Sequence, residues 1–194
     1  MTVAIGIKAH SGWAVAVAIN LRDSGLELVE RQRLDLLDGA DPGYKQPYHT
    51  AEELPLADAE RFVDSANELI RRATLKAVGA FVGTVTESGP VTRVAVVVPS
   101  PMPFWTTVEI LAVHPRMHTA EGCLYPDALL EAGYQLGVDT VPVAEKTIAE
   151  TASEVLGADF GRVNEQLAIM GKAAGPPWTK DHKLAALAAV IALR

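Results

Sequence analysis

The sequence has a single cysteine, Cys123, in 194 residues. That excludes an internal disulfide framework and a multi-cysteine zinc site, and it fits a reducing, cytoplasmic setting. Basic residues are also scarce: 17 Lys and Arg stand against 24 Asp and Glu, for a net charge of -7. A strongly nucleic-acid-binding surface is not expected, because phosphate affinity comes largely from Lys and Arg, although a local basic site is compatible with the balance. No run approaches the roughly 18 unbroken apolar residues of a membrane span, so no membrane partner is expected. No basic region precedes the apolar start Thr2 to Ile7, which reads as a strand and not as a signal peptide. A Gly-x-x-x-x-Gly-Lys-Ser/Thr phosphate loop, a Gly-x-Ser-x-Gly elbow and a Gly-x-Gly-x-x-Gly fingerprint are absent as well.

What is present is a chain able to bury a core. With 49% hydrophobic and 21% charged residues and a mean hydropathy of +0.16, it reads as one folded domain over residues 1–194. Residues 2–8, 13–20 and 26–36 are β-rich runs separated by Lys8-Ala9-His10-Ser11-Gly12 and by the turn Asp23-Ser24-Gly25, which predicts an antiparallel meander. The third run carries Glu27, Glu30, Arg31 and Arg33, as suits an edge strand; the second is rich in Ala and Val, as suits a central one. Residues 37–48 hold Gly39, Pro42, Gly43 and Pro47 and read as a loop. Thr50 is expected to cap a helix carrying Phe62, Val63, Ala66, Leu69 and Ile70 at helical spacing, with a restart at Pro55 and an end before Gly89-Pro90. Residues 91–98 form a branched apolar run that suits a parallel strand covered on both faces. A short helix over 105–113, a helix capped by Thr119 and closed by Gly137, a strand over 138–143 and a helix over 146–156 follow. After a mixed stretch with Gly157, Gly161 and Gly171 comes a closing helix over 179–193. The order β-β-β-α-β-α-β-α predicts an α/β protein with a mixed five-strand sheet and helices on its faces.

Three antiparallel strands followed by alternating helix and strand resemble the ribonuclease H-like fold. Gly6-Ile7-Lys8-Ala9-His10-Ser11-Gly12-Trp13-Ala14 is similar to the first strand and turn of RuvC-type resolvases and their relatives, where a Gly-Ile-Asp-x-Gly-type pattern stands. Asp181-His182-Lys183-Leu184-Ala185-Ala186-Leu187-Ala188-Ala189 is similar to their closing helix. The resemblance implies acidic side chains from the first strand, the fourth strand and the last helix, converging on two divalent ions that clamp a phosphodiester. Here Lys8 stands at the first acidic position, Val98-Pro99-Ser100 ends the fourth strand without a carboxylate, and Asp181 alone matches. One carboxylate supplies too few ligands for magnesium, so the expected site is degenerate, with no metal and no cofactor.

The same arrangement places Lys8, His10 and Ser11 across a crevice from Ser100, with Asp181 or His182 approaching from the last helix. Lys8 and Asp181 are candidates for an ion pair, or Lys8 for the charge and His10 for the switchable proton of a phosphate or carboxylate site. His114, Arg116 and His118, just before Thr119, form a second candidate site, for an anion at a helix start. Zinc on two histidines four apart is the alternative, with no third ligand fixed by spacing. His49-Thr50-Ala51-Glu52 and His118-Thr119-Ala120-Glu121 repeat the same four letters, which shared capping chemistry would explain. Cys123 reads as a packed residue. The apolar loop Pro101-Met102-Pro103-Phe104-Trp105 is a candidate homodimer contact.

The expected function is binding of a phosphate-bearing ligand or a protein partner by a ribonuclease H-like domain, with nucleic acid left open. The alternative is a hydrolase, in one of two forms: a nuclease with magnesium or manganese on a rearranged site of Glu109, Glu121 and Asp181, or metal-free acid-base chemistry by His10, His114 and His118.

Overall fold

The computed structural model describes residues 2–22 and 25–194; Met1 and the turn residues Asp23 and Ser24 lie outside them. Strands β1 (Val3–His10), β2 (Trp13–Arg22) and β3 (Gly25–Asp35) form the meander, and β1 turns into β2 through Gly12 at φ +84°. Strands β4 (Val91–Val98) and β5 (Asp139–Ala144) continue the sheet in parallel with β1. The strand order is β3-β2-β1-β4-β5, with β2 antiparallel to both its neighbours. This is an α/β architecture with a five-strand mixed sheet, three antiparallel strands followed by two parallel ones, as the resemblance implies. The charged third strand is indeed an edge, and the branched run of β4 lies between β1 and β5.

Alternation along β1 sends Val3, Ile5, Ile7 and Ala9 to one face and Ala4, Gly6, Lys8 and His10 to the other. The first face packs against α2 (Leu56–Thr86) and α4 (His114–Gln135), where Ile70, Phe81, Tyr125 and Leu129 are buried with Ile5, Ile7, Val94 and Val96. Each fully buried aliphatic side chain contributes about 1.5–3 kcal/mol. The second face is covered by α5 (Ile148–Leu156), α6 (Phe160–Ala174) and α7 (Lys180–Ala192), around Val17, Ile19, Ala152, Leu167 and Ala185. Two short helices, α1 (Pro47–Ala51) and α3 (Thr107–Leu111), sit beyond the carboxyl ends of β3 and β4. Among the described residues no helix is long and apolar enough to cross a membrane.

Several elements differ from the sequence expectation. Helix α4 begins at His114, because Pro115 is well suited to a first turn, where its missing N–H removes no hydrogen bond. Thr119 is therefore interior and does not cap; its hydroxyl donates to the Pro115 carbonyl at 3.0 Å. Thr50 likewise lies inside α1, and its hydroxyl donates to the carbonyls of Gly43 at 2.8 Å and Gln46 at 3.1 Å. The mixed stretch after Gly157 is mostly helix, α6, in which Gly171 is required because a Cβ there would overlap the Trp178 indole. Arg31, on the edge strand, donates from its guanidinium to the carbonyls of Ala174 at 2.8 Å, Gly175 at 2.9 Å and Pro177 at 2.6 Å. Its cation thus satisfies the last carbonyl of α6, at the negative end of the helix, and two carbonyls of the loop that follows.

The sheet and α7 approach each other closely at Gly6. A Cβ there would overlap the Ala185 carbonyl oxygen and lie 2.7 Å from the Ala189 nitrogen, both backbone atoms of α7. Gly6→Ala should therefore lower the unfolding free energy by about 3 kcal/mol, the upper range for overpacking. Gly83→Ala, in the exposed interior of α2 with nothing within 4 Å of its added carbon, should gain up to about 1 kcal/mol. Urea titrations of the two variants check the contrast.

Candidate functional site

Two polar clusters lie beyond the carboxyl edge of the sheet. The first is the crevice between β1, β4 and α7. Lys8 and His10 project toward α7 as the pleat dictates, but the pairing differs from the expected one. Lys8 Nζ lies 2.8 Å from Oε2 of Glu145, the residue directly after β5, while Asp181 Oδ2 lies 3.1 Å from His10 Nε2. Lys8 and Asp181 are thus not partners, because Glu145, at the end of the neighbouring parallel strand, is nearer to the ammonium. Lys8 is largely buried, with 14% of its side chain exposed against 33% for Glu145. Lys180 Nζ approaches the other Glu145 oxygen at 3.9 Å. His10 stacks on Trp13 with ring centroids 4.4 Å apart, and the Arg33 guanidinium covers the same indole at 4.0 Å. Ser100 lines the crevice with Pro99, Glu145, Lys146, Lys180 and Leu184. The crevice continues into a groove of about 510 Å³ along α6 and α7, where Lys172, Lys180 and Lys183 ring an apolar floor including Leu167, Leu184 and Leu187. Ser11 is half-buried in the β1–β2 turn.

His182 is not in the crevice. It is buried, with 8% exposure, and its Nδ1 accepts from the Thr179 backbone N–H at 3.2 Å and faces the Thr179 hydroxyl at 2.9 Å, closing the first turn of α7. Burial, with the Arg31 cation nearby, holds its pKa below the ordinary imidazole value, against the pull of Asp181. A protonated Nδ1 could not accept from Thr179, so the cap requires the neutral ring.

The second cluster joins α1 to the start of α4. Glu121, 4% exposed, accepts from the backbone N–H groups of Tyr48 and His49, each at 3.1 Å, and from Gln46 Nε2 at 3.3 Å, and pairs with His49 Nδ1 at 2.7 Å. His114 Nε2 and His118 Nε2 are 3.2 Å apart, and His49 completes a group of three imidazoles with one ring nitrogen from each within 4.8 Å of the others. Glu52 Oε1 lies 3.9 Å from His114 Nδ1. The two His-Thr-Ala-Glu tetrapeptides therefore meet face to face, a reason for their likeness other than capping. Arg116 donates to the Glu109 carbonyl at 2.9 Å and lies over the Trp105 ring.

The structure does not gather Glu109, Glu121 and Asp181. Glu109 accepts from the Thr106 backbone and hydroxyl in the capping box of α3, which keeps its carboxyl pKa low. Glu121 belongs to the helix layer on one face of the sheet and Asp181 to the layer on the other. Among the described residues no hydrogen bond or ion pair joins His10 to His114 or His118. Cys123 is buried in α4, and desolvation raises its thiol pKa, which keeps it protonated. Sequence reasoning missed Glu145, whose signal is its place directly after a parallel strand beside β4, and His49 as a third imidazole, whose signal is the repeated tetrapeptide.

No protein-family model and no curated protein matches the chain. Among solved structures, similar ones are RuvC of Thermus thermophilus in complex with Holliday junction substrate, at 13% identity over 98% of this chain and 92% of that one, TM-score 0.46; the yeast mitochondrial Holliday junction resolvase Ydc2, at 11% over 97% and 75%, TM-score 0.44; and the Ppx/GppA phosphatase of Aquifex aeolicus, at 10% over 80% and 40%, TM-score 0.40.

The His182 cap makes stability pH-dependent with a defined sign. Its folded pKa lies below the unfolded value of 6.5, so on acidification the unfolded chain takes up the proton first. Stability contributed by the neutral cap is complete above about pH 7 and declines as pH falls through about 6.5. Thermal melts at about pH 7.5 and about pH 5.5 should show a smaller decline in His182→Gln, which keeps an acceptor without a proton to gain.

Proposed function

We propose that the chain acts as a single ribonuclease H-like domain whose crevice binds a phosphate-bearing ligand in place of a pair of catalytic metals. The observation that carries this reading is the 2.8 Å pair between Lys8 and Glu145 at the carboxyl ends of β1 and β5. In this reading a fixed ammonium takes the position at which a two-metal nuclease needs an oxygen ligand. Asp181, the one carboxylate matching the family pattern, is engaged by His10. Lys146, Lys172, Lys180 and Lys183 line the adjoining surfaces, a local cationic concentration in a chain of net charge -7. In this reading Lys8 acts through Glu145 to hold the crevice wall, Lys180 and Lys146 meet the anion, Ser100 offers a hydroxyl, and His10 with Asp181 can exchange a proton with a phosphate oxygen. A second copy of the chain would associate through the proline-stiffened loop 101–105, where Phe104 is fully exposed; sedimentation showing only monomer at high concentration would remove that part.

Calorimetry with inorganic pyrophosphate tests the crevice. Wild type should bind, more weakly as salt rises, and Lys180→Glu should bind at least about tenfold more weakly. Lys180 is 81% exposed, so the variant keeps its fold. Equal binding by the variant overturns the reading. So does cleavage of branched or single-stranded DNA with magnesium or manganese that disappears in Asp181→Ala.

A further inference from the structure

We propose that His49, His114 and His118 form a binding site for a borderline divalent metal ion, zinc by preference, with Glu121 as the positioning carboxylate. The site is separate from the lysine-lined crevice and stands whether or not that crevice binds phosphate.

Geometry is the first support. A tetrahedral zinc ion with Zn–N bonds of about 2.0–2.1 Å separates its nitrogen ligands by about 3.3–3.4 Å. His114 Nε2 and His118 Nε2 are already 3.2 Å apart, one turn apart on α4, and one ring nitrogen from each of His49, His114 and His118 lies within 4.8 Å of the others. A side-chain rotation of the half-buried His49 on α1 would bring the third ligand to that spacing.

Chemistry of the ligands is the second. Glu121 is a nearly fully buried carboxylate saturated by three N–H donors, and its contact with His49 Nδ1 at 2.7 Å assigns the ring proton to that nitrogen. Nε2 of His49 is then a lone pair directed away from Glu121. A carboxylate that fixes the tautomer and raises the basicity of a ligating imidazole is the recurrent outer partner of protein-bound zinc. Glu52, 3.9 Å from His114 Nδ1, is placed to do the same for a second ligand. Three neutral imidazoles are poor ligands for hard magnesium or calcium and suit zinc and its neighbours in the first transition row.

Exposure is the third. His114 and His118 are exposed and His49 is half-buried, so a fourth coordination position faces solvent. Three protein ligands with an open position distinguish sites that bind a water or a substrate from closed structural ones.

The test uses untagged protein stripped of metal with a chelator. Titration with zinc chloride should show one equivalent bound, and cobalt chloride should give the visible absorption of tetrahedral Co(II). His118→Ala should abolish both. It is exposed, so its melting temperature in chelator should equal that of wild type. His49→Ala separates a three-ligand site from a bare surface pair of histidines: it should weaken zinc at least about 100-fold, and Glu121→Gln about 10- to 100-fold. Retained affinity in His49→Ala, absence of stoichiometric zinc, or a Co(II) spectrum of octahedral type overturns the proposal. Failure of the pyrophosphate experiment leaves these outcomes unaffected.

Discussion

The contact that governs the arrangement is between the backbone of β1 at Gly6 and the backbone of α7 at Ala185 and Ala189. A helix can come this near a strand only where neither presents a side chain of any size. The run Ala185, Ala186, Ala188 and Ala189 supplies that surface, all four being fully buried. The apolar area lost by using alanine is offset by close packing of many backbone atoms, since dispersion falls steeply with separation. Once residue 185 is seated on Gly6, the start of α7 is carried to the end of β1, which is where Asp181 meets His10 and Lys180 approaches Glu145. The alanine-rich composition of the helix and the charge pattern of the crevice are therefore linked by one steric requirement.

Charge then decides what that crevice can hold. A divalent ion about 4 Å from the Lys8 ammonium would be repelled by that charge by roughly 8 kcal/mol at an effective dielectric constant of about 20, before the attraction of Glu145 is counted. Glu145, the counterion of Lys8, offsets much of this, but with Lys180 also approaching it the pair supplies no surplus negative charge of the kind that several acidic ligands give a metal. The proposed anion would meet the same largely neutralised Lys8, with Lys180, 81% exposed, beside the pair. The same pair also resists simple removal, since deleting Lys8 alone would leave a part-buried carboxylate without its partner.

The fold was largely legible in the sequence, because its signals are local. Alternation in β1 and β2, charge on the edge strand β3, the branched run of β4 and the alanine helix each stand within about ten consecutive residues. Two misreadings are also local in origin. Thr119 resembles a cap, but Pro115 four residues earlier is the stronger start; Gly161 and Gly171 resemble breaks in what is helix α6, where Gly171 answers to Trp178 instead. The sites were less legible because their pairings are not local. Lys8 finds Glu145 across two parallel strands, and His49 finds Glu121 between two helices, at separations that no periodicity encodes.

The histidine cluster owes its geometry to a division within α4. Tyr125, Ala128, Leu129 and Ala132 of that helix belong to the main core on the sheet, whereas Met117 and Ala120 pack with Tyr48, Ala51, Val63 and Ile110 in a satellite core beyond the sheet edge. Pro126 stands near the boundary and removes the hydrogen bond that residue 126 would give to the carbonyl of Gly122. The first turns of α4 are thus anchored by their own small core and by Glu121, not by the strands. Small shifts of the sheet or of α7 need not reach the imidazoles, while any loss of the Glu121 contacts to α1 would separate His49 from the other two. Two chemically unlike surfaces, one built on lysine and one on imidazole, can in this way share the carboxyl edge of one sheet without sharing a residue.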